Sequence, residues 1–174
     1  MSLVPLELGA NVRAATLGGE IYVATIGPEP EDIVGAAIWY APGQSSMSTD
    51  EQRAAGWDQF LSVIPEELKS WWMEHFIPEI GRLADEALGP GYKLKSWHLH
   101  LFGVVPTYQR RGLGKALMRV VDDLAKADGA PIVLETTTEI DVLIYKKLGF
   151  DIKGETTIKS SLGVSPLYIM AKEP

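Results

Sequence analysis

The chain contains no cysteine. That excludes disulfides, thiolate metal ligands and a cysteine nucleophile, and leaves stability and chemistry to other groups. Positive charge is also scarce: sixteen Lys and Arg stand against twenty-three Asp and Glu, a net charge of −7. Phosphate backbones need a basic surface, so this balance argues against a nucleic-acid binder and weakly favours a cationic or amine ligand. The mostly apolar stretch from Ile33 to Ala41 falls well short of the roughly 20 residues of a spanning helix. No basic segment followed by an apolar run opens the chain, so neither a membrane partner nor a secretory signal is expected, and the expected location is cytoplasmic. Repeats, low-complexity tracts and long linkers are missing too. The 174 residues therefore read as one domain, residues 1–174, with one sizeable core.

What is present is an alternation of short strands and amphipathic helices. Ile21 to Ile26 and Ile33 to Tyr40 are rich in β-branched and aromatic residues, and the turn-forming run Gly27 to Asp32 separates them. From Thr49 to Leu88 the texture becomes helical, with Thr49 or Asp50 as a cap, Pro65 at a first turn and Gly89-Pro90 as a stop. This stretch reads as an insertion over about residues 49–89. It carries Trp57, Phe60, Trp71, Trp72, His75 and Phe76; aromatics at helical spacing are usually core, though such a cluster can also line an acceptor pocket. A strand is expected over Leu94 to Val105, with Trp97, Leu99 and Leu101 on one face and His98, His100 and Phe102 on the other. A helix follows from about Gly112, with Leu113, Leu117, Val120, Val121 and Leu124 on one stripe. A buried strand over Ile132 to Thr136, a helix over Glu139 to Leu148, and strands over Phe150 to Ile158 and Pro166 to Ala171 complete the chain. The fold class is α/β (α+β), with a mixed sheet.

The sharpest local signal is Val104-Val105-Pro106-Thr107-Tyr108-Gln109-Arg110-Arg111-Gly112-Leu113-Gly114-Lys115-Ala116, set between a strand and a helix. Glycines at 112 and 114 let the backbone approach a ligand, and the free amides of a helix's first turn, with the positive end of its dipole, suit a phosphate. The spacing fails the Rossmann pattern, which needs a small residue at Leu117. It fails the Walker pattern at Gln109 and Ala116.

Gln109, Gly112 and Gly114 fill the pattern Gln/Arg-x-x-Gly-x-Gly/Ala. Some thirty residues later Tyr145-Lys146-Lys147-Leu148-Gly149-Phe150 fills a Tyr-x-x-x-Gly-Phe element. With Val104-x-Pro106 before the first, the chain resembles the GNAT acetyltransferases. The resemblance implies the GNAT acyl-CoA N-acyltransferase fold, a mostly antiparallel sheet flanked by helices, and acetyl-CoA as cosubstrate with no metal. It implies that the backbone of Val104 and Val105 holds the pantetheine arm. The loop from Arg110 to Lys115, basic at Arg110, Arg111 and Lys115, would cradle the pyrophosphate, with Gln109, Leu113 and Ala116 completing the cofactor site.

Tyr145 corresponds to the tyrosine that many GNAT enzymes use as general acid toward the CoA sulfur. His98-Leu99-His100 is similar to the His-x-His pattern of arylalkylamine N-acetyltransferases, where the histidines lie in the proton path from the amine. Glu135 or water are alternative bases. Asp141 stands where the family often has a cofactor-binding asparagine; an ionised carboxylate cannot donate in that way. The resemblance covers about Trp97 to Lys153 and does not reach the insertion. About twenty residues precede Ile21, too few for the first strand and helix pair of that fold, so either the insertion replaces the pair or the chain lacks its natural start. The expected function is acetyl transfer from acetyl-CoA to a primary amine of a small molecule, with a homodimer as a further partner to test. The alternative is a non-catalytic acyl-CoA-binding module on the same fold.

Overall fold

The structure, a computed structural model, describes residues 3–161 and 163–174. Its centre is a six-stranded sheet in the order β1-β2-β3-β4-β6-β5. The strands are β1 Glu20–Thr25, β2 Ile33–Tyr40, β3 Trp97–Val104, β4 Ile132–Thr136, β5 Asp151–Ser160 and β6 Gly163–Lys172. Every neighbouring pair is antiparallel except β3 and β4. That pair is parallel because a helix, α6 (Leu113–Asp128), carries the chain back across the sheet between them.

Helices cover both faces. On one, Leu117, Met118 and Val121 of α6 and Val142 of α7 (Glu139–Lys147) bury Trp39, Trp97, Leu99, Leu134 and Met170. On the other, α1 (Val4–Gly18) places Ala15 on Ile38 and Tyr40. There too α5 (Ile77–Leu88) places Leu83 and Ala84 on Val133, Leu167 and Ile169. A Leu, Ile or Val side chain removed from water in this way contributes about 1.5–3 kcal/mol.

Helix α1 occupies the segment where the sequence offers too little chain for a strand and a helix, and among the described residues no strand precedes it. The insertion forms α2 (Asp50–Gln52), a π turn Arg53–Trp57, α3 (Asp58–Val63), α4 (Glu66–Ser70), a second π turn Trp71–Phe76 and α5. Trp57, Phe60 and Ile64 are buried in a small core of their own with Leu3, Leu6 and Trp72. That core docks the insertion on α1. The α6 stripe differs from the one the period suggests: Leu117, Met118, Val121 and Ala125 are buried, whereas Val120 and Leu124 are exposed. The helix is rotated so that Gly114 faces β3, where an added Cβ would come within 3.1 Å of the Phe102 ring.

Candidate active site

Strands β3 and β4 are paired only from Trp97↔Ile132 to Leu99↔Leu134. Beyond this point β3 stays with β2 as far as Val104↔Gly35, and β4 stays with β6 as far as Thr136↔Tyr168. The two strands part and a gap opens between them. His100 marks the parting: Ile38 pairs with Leu101 and Trp39 with Leu99, so His100 is the extra residue of a β-bulge. The bulge corrects the regular alternation expected from the sequence. Phe102 and Val104 join the face of Trp97 and Leu99, while Leu101 packs with Ala15, Ile38 and Tyr40.

Backbone groups line the gap. Val105 donates its N–H to the Val34 carbonyl at 2.8 Å, so by strand alternation the N–H and C=O of Val104 point away from β2 and into the gap. The Val104 carbonyl accepts a hydrogen bond from Gln109 Nε2 at 2.9 Å, which ties the following loop to the strand end. That loop runs through a 3-10 turn, Pro106–Tyr108, and two left-handed residues, Arg110 (φ 62) and Gly112 (φ 85). The first bond of α6 is Ala116 N–H to the Gly112 carbonyl at 2.9 Å. Six successive amides, Arg110 to Lys115, have no acceptor among the described residues. Side chains do not cap them, and the helix dipole adds partial positive charge. Arg111 lies over the Tyr108 ring at 5.0 Å and bonds the Thr107 carbonyl at 3.1 Å, which braces the loop. Ala116 differs from its neighbours, since its amide is engaged within the helix.

Tyr145 of α7 stands on the α6/α7 side, against Phe102 and Phe150 at ring distances of 6.5 and 5.8 Å. Burial, aided by the Asp141 carboxylate, pushes its phenol up to about 12. It is protonated throughout the neutral range, and its hydroxyl has no partner among the described residues. Asp141 is occupied as an α7 cap: its Oδ2 accepts from Thr138 Oγ1 at 2.6 Å and Thr136 Oγ1 at 3.3 Å, and its N–H donates to Thr138 Oγ1 at 3.1 Å.

The ionisable cluster lies on the opposite, α1/α5 side. His98 Nε2 is 2.6 Å from Glu135 Oε2, and Lys93 Nζ bonds the other oxygen of the same carboxylate. Burial alone would raise the Glu135 carboxyl, but His98 and Lys93 outweigh it and hold the group well below the usual carboxylate range. The His100 ring lies 5.8 Å from that of His98 and 5.6 Å, edge-on, from that of Tyr40. Burial first, then the neighbouring His98, push His100 down to about 3, so it is neutral at pH 7. A cavity of about 230 Å³ reaches His98 and Lys93 from the Gln44-Ser45 loop. A second, about 320 Å³, opens between the stacked Trp71 and Phe76 of the insertion, Ile158, Ser165 and Thr137, the residue after β4. Among the described residues no group of three or more His, Asp or Glu is placed to hold a metal ion, and no helix is long and apolar enough to cross a membrane.

Val104 and the Arg110–Lys115 amides thus follow the parting of β3 from β4, Tyr145 packs against Phe102 on one face of the sheet, and His98, His100 and Glu135 lie on the other. Lys93 and Asn11, which bonds His100 Nε2 through Oδ1 at 2.7 Å, have no motif to announce them. The one available signal for Asn11 is a lone polar residue among alanines on the buried stripe of α1.

Residues 74–152, from the second π turn to the start of β5, match the acetyltransferase (GNAT) domain. An uncharacterised N-acetyltransferase of Schizosaccharomyces pombe is 23% identical over 146 residues, 84% of this chain and 59% of that protein. The N-alpha-acetyltransferase RimI of Mycobacterium tuberculosis is 38% identical over 56 residues, 31% of this chain and 34% of that one. The chain therefore spans less than two thirds of the length of either relative. Among solved structures, a mosquito arylalkylamine N-acetyltransferase (like 5b) shares the fold with a TM-score of 0.57 at 19% identity, covering 88% of this chain and 74% of that one. The chain is thus similar to the GNAT acetyltransferases over residues 74–152, and it shares its fold with the mosquito protein.

Proposed function

We propose that residues 1–174 act as one unit that transfers an acetyl group from acetyl-CoA to a primary amine of a small molecule, by direct attack with both substrates bound. The observation that carries this reading is the run of six unpartnered amides, Arg110 to Lys115, at the open end of the β3/β4 gap. Amides in that arrangement, with the dipole of α6 and the side chains of Arg110, Arg111 and Lys115, fit a pyrophosphate. The inward-facing backbone of Val104 fits an extended amide-bearing arm. Acetyl-CoA, when bound, supplies an acetyl group already activated as a thioester.

The chain's own residues then manage protons. Tyr145 keeps a transferable proton on one side of the gap. On the other, His98 held by Glu135 is the first choice to relay a proton from the amine, with His100 or water as alternatives. The cavity beside the stacked Trp71 and Phe76, close to the end of β4, favours an acceptor with a flat apolar part, and the net charge of −7 favours a cation.

One observation favours a second reading, an acyl-CoA-binding module without turnover: His100 and Glu135 are both held where they bind protons weakly. A thermal-shift titration with acetyl-CoA, CoA, ATP and NAD tests the site common to both readings. Stabilisation by acetyl-CoA and CoA alone is expected, and its absence would remove the site. Mass-spectrometric detection of acetylated product from a panel of arylalkylamines, polyamines and peptide N-termini then separates enzyme from module.

A further inference from the structure

Helix α1 is apolar almost throughout, yet one of its four buried residues is Asn11, 4% exposed among Ala10, Ala14 and Ala15. A buried amide is costly unless its hydrogen bonds are made. Here they are made in one sense only. Asn11 Nδ2 donates to the Glu7 carbonyl at 3.0 Å and to Glu7 Oε1 at 2.8 Å, which consumes both of its protons. The Oδ1 that faces His100 Nε2 at 2.7 Å can therefore only accept, so Nε2 must carry the proton.

We propose that Asn11, braced by Glu7, is a positioning residue that holds His100 in a single tautomer, protonated on Nε2, and so keeps Nδ1 as an acceptor where β3 and β4 part. Nothing else around the ring opposes this. Ser46 Oγ, 3.4 Å from the same nitrogen, can accept a weaker share of the same proton. Tyr40 meets the ring by its edge, and no described residue bonds Nδ1. The charged or titratable groups nearby are His98, Glu135 and Lys93 on the sheet side and Glu7 on the helix side. None of these touches His100 Nε2. The arrangement gives His100 a use other than that of a strong base: a neutral ring whose free nitrogen accepts a hydrogen bond from an amine or a water in the gap. That consequence rests on the acetyl-transfer reading, whereas the tautomer does not.

The test is long-range ¹H–¹⁵N correlation of the histidine rings in the full-length protein, labelled with ¹⁵N-histidine, between pH 5 and 8. In the wild type His100 is expected as the Nε2–H tautomer with no titration across this range. Asn11→Asp places a carboxylate at the same nitrogen, which should raise the His100 midpoint by about 2 pH units or more and depress kcat on the acid side, with KM for acetyl-CoA unchanged. Glu7→Ala leaves α1 and the bond from Asn11 Nδ2 to the residue-7 carbonyl intact and removes only the Oε1 acceptor, so the Nε2–H tautomer should remain the major form of His100 and a measurable minor share of Nδ1–H should appear. It serves as the reporter if the Asn11 variant does not fold. An Nδ1–H tautomer in the wild type, or a Glu7→Ala spectrum identical to it, overturns the proposal. The expected spectra in a protein that acetylates nothing would leave the tautomer standing and remove only the acetyl-transfer reading.

Discussion

Tyr145 and Trp71 are the side chains whose proposed roles divide most cleanly between chemistry and binding. The Tyr145 phenol is pushed up to about 12, so it is a proton reserve that ordinary pH does not deplete. Tyr145→Phe keeps the ring contacts with Phe102 and Phe150 and removes only the hydroxyl. Its expected effect is a fall in kcat of roughly a hundredfold, the low end for acid catalysis, with acetyl-CoA KM within about a factor of two. An unchanged kcat would remove Tyr145 from the mechanism. Trp71 is fixed by its Nε1–H bond to the Lys159 carbonyl at 2.6 Å and stacks on Phe76 at 5.0 Å and 20°. Trp71→Ala should raise KM for aromatic acceptors by about tenfold, the worth of one stacking contact, and leave aliphatic amines nearly unaffected. Equal effects on both acceptor classes, read from initial rates, would mean that the cavity beside Trp71 is not an acceptor subsite.

The loop entering α6 contains two glycines that look alike in the motif and do different things. Gly112 has φ 85 and open space where a Cβ would lie. A side chain there costs only backbone strain of about 1–2 kcal/mol, and Gly112→Asp should leave a folded protein whose acetyl-CoA affinity, measured by calorimetry, falls at least about tenfold because negative charge would then face the free amides of the proposed pyrophosphate site. Unchanged affinity in a folded variant would contradict the site. Gly114 is a packing glycine: its added Cβ would meet the Phe102 ring at 3.1 Å. Gly114→Ala should therefore lower the melting temperature, by an overpacking cost of about 1–3 kcal/mol, before it affects any ligand. The β3 bulge belongs to the same scale. Alternation from His98 already sends His100 toward α1, and the one extra residue there sends Leu101 the same way, so that two successive side chains pack on that helix.

At the scale of the whole molecule, the buried cluster makes stability depend on pH. His100 falls from an ordinary 6.5 to about 3 on folding, so between those values the unfolded chain binds a proton that the native protein does not. The stability it contributes is complete above about pH 6.5 and is lost as pH falls toward 3. Glu135, depressed by His98 and Lys93, adds a further loss as pH drops through the carboxylate range. Melting temperatures at pH 7, 6 and 5 should decline in the wild type and decline less in His100→Gln; parallel curves would show that the His100 proton is not involved. Much of the fold was legible beforehand because its signals are local. Period-two and period-3.6 patterns mark β2, β4 and α7 to within a residue or two, and the glycine loop marks the run of free amides on which the proposed site rests. Helix α1 escaped because it is apolar on nearly every side and so lacks an amphipathic period. The α6 stripe lies one position away from the one its apolar period suggests, because Val120 and Leu124 are apolar yet exposed. By itself the sequence determined most of the strand and helix order, the resemblance to the GNAT acetyltransferases and the run of free amides, since hydrogen-bond periodicity and glycine conformation act over a few residues. Only the tertiary structure decided where β3 leaves β4, that a bulge turns Leu101 toward α1, and that Asn11, Lys93 and Glu135 meet the histidines. Those contacts join residues 37 to 89 positions apart, and such partners are selected by packing rather than by any local pattern.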